Sequence, residues 1–179
     1  EIDPEMLLML GKKSFDLGYY PFSYKRLFSC VVNGCDARAL VELAKFFEIG
    51  EVVSKDQVSA DILKFVASNI DNPDLIELKM SRTNFEDRGY LRDILVAGDF
   101  SAKALYLEAG KFSSSEKIDY MKRAAEKGHI ISRKIIANDQ LKCGKLQDAF
   151  NIYQSLACDG VEEGLIGMEF CYASGLEYQ

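Results

Sequence analysis

Residues 120–129 read YMKRAAEKGH, two adjacent alanines on a helix-forming stretch that a glycine then ends. Ala124 and Ala125 have so little side-chain bulk that a neighbouring helix can approach closely, and Tyr120, one turn earlier, fills the wider part of the same seam. Gly128 tolerates the positive φ with which a helix turns out into the next element. Such a seam and stop mark one copy of a repeated unit if they recur at intervals. Gly34, Gly98, Gly128 and Gly160 are 64, 30 and 32 residues apart, and the turn IDNPD around Asn72 fills the long gap. Gly18, Gly50, Asn84, Gly110, Gly144 and Gly175 fall between them. Two interleaved series of stops imply two elements per unit, with a period of roughly 26 to 38 residues.

Both elements read as helices. In DARALVELAKFFEIG the residues Ala37, Leu40, Val41, Ala44 and Phe47 recur at steps of three and four, one stripe of a helix that Gly50 ends. In KDQVSADILKFVASNIDN, Asp56 is placed as an N-cap ahead of Val58, Ile62, Phe65, Val66 and Asn69 at similar steps. Asp3 before Pro4, Asn72 before Pro73, and Ser113 with Glu116 give further start signals, the last a capping-box spacing. No segment alternates in the manner of a strand. The expected fold is all-α: an α-solenoid of about five antiparallel helix pairs plus a terminal helix in a single repeat domain over 1–179. Its units fall near 4–35, 36–71, 72–98, 99–128 and 129–160, with a partial one at 161–179. A lone helical hairpin cannot cover its apolar faces, so stacking of neighbours is what makes the core.

Composition narrows the function classes. Hydrophobic residues make up 48% of the 179 positions and charged ones 28%, the profile of an ordered chain. No apolar run approaches the roughly 20 residues that span a bilayer, and EIDPEMLLML lacks the basic start of a signal peptide. Location is left open; the cytoplasm is favoured, and a segment removed before Glu1 would allow a periplasmic or secreted protein. Twenty-eight acids against 22 bases give a net charge of −6, which repels a phosphate backbone and argues against nucleic acid as partner. The charge is uneven: Lys111 to Lys145 hold nine Lys or Arg against four acids, and Leu146 to Gln179 hold six acids and no base. Neighbouring segments attracting one another account for this, as would two patches of opposite sign offered to partners. The five cysteines are odd in number and irregularly spaced, which favours buried thiols, with one Cys30–Cys35 bridge left open. There is no CxxC, and the single histidine, His129, has no cysteine pair near it, so neither metal nor cofactor is expected.

Residues 39–67 carry a resemblance. Ala39, Leu43, Ala44, Phe47, Gly50, Val53, Asp56, Ala60, Leu63 and Ala67 fall in phase with the Sel1-like repeat, a relative of the tetratricopeptide repeat, with Ala44, Phe47 and Leu63 in the places of its Gly, Tyr and Trp. YMKRAAEKGH is similar to that repeat's second-helix ending, Tyr90 to Gly98 repeats the spacing of Tyr120 to Gly128, and Tyr172 with Gly175 matches a first-helix ending. Residues 72–98 make a shortened unit, and CGKLQDAFNIYQSLACDG looks more like a tetratricopeptide hairpin. The resemblance implies a right-handed superhelix acting as a non-enzymatic scaffold or adaptor for a protein or peptide. First helices line the concave side of such stacks. On that basis the candidate contacts are Arg38, Glu42 and Phe46, then Lys103 and Tyr106, then Arg133, Lys134, Asn138 and Gln140. The alternative is an assembly subunit that self-associates through its open terminal unit, in a setting such as bacterial envelope or exopolysaccharide assembly. No G-x-S-x-G, Walker-type loop or H-E-x-x-H occurs, and His129 reads as a turn residue, so no enzyme is expected.

Overall fold

A computed structural model describes residues 3–34, 37–113 and 115–177. Among them there are eleven α-helices and no strand: α1 Pro4–Asp16, α2 Tyr20–Val32, α3 Ala37–Ile49, α4 Gln57–Ser68, α5 Pro73–Ser81, α6 Gly89–Ala97, α7 Ala102–Ala109, α8 Ser115–Glu126, α9 Ile130–Lys142, α10 Leu146–Cys158 and α11 Glu162–Ala173. The starts follow local chemistry. Asp3 accepts from the Glu5 N–H at 3.1 Å, Asp56 from Val58 at 3.1 Å and Asn72 from Leu75 at 3.3 Å, each satisfying an amide that has no partner inside its helix. The Ser113–Glu116 box spans Ser114, which lies outside the described residues. So does Cys35; Cys30 itself is buried, its Sγ donating to the Pro4 carbonyl at 3.4 Å.

Neighbouring helices pack in succession, α1 on α2, α2 on α3 and α3 on α4, then α8 on α9, α9 on α10 and α10 on α11, a helical-repeat arrangement. Its punctuation is regular at both ends of the sequence. Gly18, Gly34 and Gly50, and again Gly128, Gly144, Gly160 and Gly175, all take positive φ, at intervals of 16 residues with a last one of 15. Between them the rhythm lapses: α5, α6 and α7 are only 9, 9 and 8 residues long. There the left-handed turn after α6 falls on Asp99 (φ 57°) and not on Gly98. Gly98 is needed for another reason, since a Cβ on it would lie 2.0 Å from the Phe100 ring.

The chain divides into two compact units, Glu1–Ala104 and Leu105–Gln179. In the first, Leu27, Leu40, Leu43, Phe46, Leu63, Leu91 and Ile94 are fully buried. Gly11 lets α1 and α2 touch, where Ser23 Oγ donates to its carbonyl at 2.6 Å. α6 folds back onto α2, with the Tyr24 and Tyr90 rings edge-on at 6.5 Å, a contact that steps past the nearest neighbours. α5 and α7 cap each other: Glu77 accepts from the Ala102 N–H at 2.7 Å, while Lys103 Nζ donates to the Met80 and Thr83 carbonyls at 3.1 and 2.7 Å. Short helices gain at their ends what they lack in length.

In the second unit, Ala137, Ala149, Phe150, Tyr153, Leu156 and Cys171 form one core cluster, and Ala109, Met121 and Ile136 another. Ala124 is fully buried and Ala125 half-buried, as a small-residue seam requires. α11 is seated through Gly164 and Gly167, where an added Cβ would lie 2.4 Å from the Ala157 backbone nitrogen and 2.2 Å from the Tyr153 ring.

Candidate functional site

In the second unit α8, α9 and α10 leave a groove of about 430 Å³ between them, lined by Lys122, Ala125, Glu126, Arg133, Ile136, Asn151, Ile152 and Ser155. Ile136 is buried and Ala125 and Ile152 are half-buried, so the floor is apolar. Lys122, Glu126, Asn151 and Ser155 are exposed and form a polar rim. Arg133 lies along it with only 11% of its side chain accessible, donating to Ser155 Oγ at 2.6 Å and Asp159 at 2.8 Å. An apolar floor with a donor- and acceptor-bearing rim suits a peptide whose side chains enter the floor while its backbone meets the rim.

Of the residues expected to meet a partner, the groove takes in Arg133 alone. Lys134 pairs with Glu163 at 2.7 Å, which lowers the Glu163 pKa, first through that hydrogen bond. Together, Arg133–Asp159 and Lys134–Glu163 tie the basic α9 to the acidic α10 and α11, so neighbouring segments attract within the chain. Asn138 is exposed; its Oδ1 accepts from the Tyr153 hydroxyl at 2.5 Å, and burial raises the Tyr153 pKa. Gln140 is half-buried on the same helix. The half-buried Tyr106 ring lies 4.8 Å from that of His129, and His129 caps α9 by accepting from the Ser132 N–H at 3.3 Å.

In the first unit three of the expected contact residues are engaged within the fold. Phe46 is wholly buried, with its ring edge-on to Phe15, Tyr20 and Tyr24 at 5.2 to 6.3 Å, and cannot meet a partner. Glu42 is also buried and pairs with Lys45 at 2.8 Å. The reason is that α3 is packed against α1, α2 and α4, so its buried arc is wider than one stripe; of the residues assigned to that stripe, Val41 is exposed. Lys103 is spent on the end of α5 and lies 5.4 Å over the Phe85 ring. Arg38 stays exposed and pairs with Glu5.

A second cleft, about 420 Å³, is lined by Phe47, Ser54, Asp56, Ser59, Glu86, Asp87, Arg88, Gly89, Tyr90 and Asp93. Burial opposes the charge on Asp56, but the Ser59 hydroxyl at 2.6 Å and the Arg88 guanidinium at 2.9 Å outweigh it and hold its pKa below the usual range. A carboxylate so held, and already capping α4, is poorly suited to deliver a proton near neutral pH. Among the described residues no group of three or more His, Cys, Asp or Glu converges as metal ligands, and no helix is long and apolar enough to cross a membrane.

Sequence reasoning missed Lys122, Glu126, Asn151 and Ser155 because it looked only to first helices, whereas the groove is walled by α8 and α10, the second helices of their expected pairs. Comparison of the chain with models of protein families, with curated proteins and with solved structures found no match.

Proposed function

We propose that this chain is a non-enzymatic protein-interaction module, a right-handed α-solenoid of about five helix pairs and a terminal helix resembling the Sel1-like and tetratricopeptide repeats. A peptide or protein segment is held in the groove of α8, α9 and α10. One observation carries this reading: Ala125, Ile136 and Ile152 form an apolar floor within a rim of Lys122, Glu126, Arg133, Asn151 and Ser155. In the other cleft Asp56, Ser59 and Arg88 are engaged with one another and with the start of α4, which supports binding over catalysis. Stacked helices suit the role, since each contributes a few side chains and affinity accumulates over modest contacts.

The test begins with peptides selected against the 179-residue chain from a random library. Lys122→Glu combined with Asn151→Glu changes only exposed rim residues and should leave the helical circular dichroism intact. Loss of at least about tenfold in affinity for the selected peptides is expected, as for removal of a complementary rim charge and a hydrogen-bond donor. Unchanged affinity across the whole selected set refutes the groove as the binding surface.

A further inference from the structure

α1 and α11 each carry exposed apolar side chains, and the charges beside them differ in sign. On α11, Gly164, Gly167 and Cys171 are buried against α10, whereas Leu165, Ile166 and Phe170 are 57–60% exposed. The helix is thus apolar on both sides, the composition of one enclosed between neighbours. It cannot roll to hide Phe170. Only the glycine side fits against α10, because a Cβ at position 164 would meet the Tyr153 carbonyl oxygen at 2.6 Å as well as the Ala157 nitrogen at 2.4 Å. Exposed Glu162 and Glu169 stand among the three outward apolar residues, at helical steps of three and four, and make the ridge acidic.

On α1 the buried side is Leu7, Leu8, Gly11 and Ser14. Met6 and Met9 face outward, 50% and 60% exposed, with exposed Lys12 and Lys13 beside them. A shallow cleft of about 610 Å³ runs along this helix, lined by Leu8, Met9 and Leu17 and by Glu5, Lys12, Lys13, Asp16 and Arg38. Glu5 neutralises Arg38, which leaves two lysines against one aspartate. The face is apolar and net basic.

We infer that the α11 ridge of one copy seats on the α1 face of a second copy of this chain. The occupant is a second copy because one sequence supplies both halves of the match, apolar with acid and apolar with base. Such a contact joins unlike surfaces, so it builds open chains or rings and leaves no two-fold axis through the contact. It uses none of the groove residues and stands apart from the peptide-binding reading. One helix face per copy makes a small interface, so association is weak, concentration-dependent and weakened by salt.

Sedimentation velocity at rising concentration and low salt tests it with two charge reversals. Glu162→Lys with Glu169→Lys makes α11 basic; Lys12→Glu with Lys13→Glu makes α1 acidic. The unmodified chain should form dimers and larger species. Each reversed protein alone should have its dissociation constant raised at least about tenfold, because its own two faces then repel. An equimolar mixture of the two should associate again, since each mutated face meets an oppositely charged one. A monomer at every concentration for the unmodified chain overturns the inference, as does undiminished association of either reversed protein alone or failure of the mixture to recover. Circular dichroism establishes that the variants are folded; if either reversal unfolds the chain, Glu162→Gln with Glu169→Gln replaces it and should reduce association and flatten its salt dependence, while undiminished association overturns the inference.

Discussion

Gly164→Ala sets two physical effects against each other, and the coordinates decide between them. Alanine is the better helix former by up to about 1 kcal/mol, so propensity alone predicts a stabler α11. The new methyl, however, would sit 2.4 Å from the Ala157 nitrogen and 2.6 Å from the Tyr153 oxygen, where ordinary contact begins near 3.4 Å. Both obstructing atoms are backbone, so no side chain can swing aside. α11 must retreat from α10 by about 1 Å, loosening its packing over Leu156 and Tyr153 at about 2–3 kcal/mol, the upper part of the range for overfilled cores. The net expectation is destabilisation by about 1–2 kcal/mol. For a unit of this size that lowers Tm by roughly 5–15 °C. Urea titration followed by circular dichroism measures it, with Gly89→Ala as the comparison, since a Cβ there meets nothing within 4 Å. Should Gly164→Ala raise the midpoint or leave it unmoved, the close approach of α11 to α10 is wrong.

Ala124 is fully buried, so Ala124→Leu should overfill the α8 seam and destabilise by about 1–3 kcal/mol in the same titration. The depressed pKa of Asp56 means its contribution is complete above the ordinary value of 3.8 and is lost as pH falls through the folded value; Asp56→Asn, which can still cap α4, should flatten that acid limb of a stability–pH curve. Lys103→Met should lower stability by about 1–2 kcal/mol through the two carbonyls it leaves, and a double-mutant cycle with Glu77→Gln should report coupling between the caps. Cys143 and Cys158 are exposed, while Cys171 is buried with its thiol pKa pushed up by that burial, so brief alkylation of the native chain read by mass spectrometry should mark the first two and spare the third.

What could be read from the chain was what neighbours along it determine. Asp3, Asp56 and Asn72 cap their helices as expected because the amides they satisfy lie two or three residues away. The helical content and much of the glycine punctuation followed likewise from short-range geometry. Burial depends on what arrives from elsewhere. Phe46 lies off the predicted stripe and is buried because Phe15, Tyr20 and Tyr24 come from other helices to enclose it. Lys103 reads as a solvated lysine until α5 brings two carbonyls to it. Arg133 was singled out for a partner, and Ser155 and Asp159 take up its donors from 22 and 26 residues away. Only their attraction as segments, and not the pairing itself, was visible in the charge distribution.

The even placing of the left-handed glycines bears on how a molecule of this kind can change in length. Joints set 16 residues apart repeat one device, a glycine at positive φ, so a tandem copy of two successive helices with their joints would rejoin the chain at the same step. The stretch between Gly50 and Gly128 lacks that even measure; a cut or duplication ending there would strand Glu77 and Lys103 from the helix tips they serve. Growth by whole increments is therefore open toward either terminus and closed in the middle.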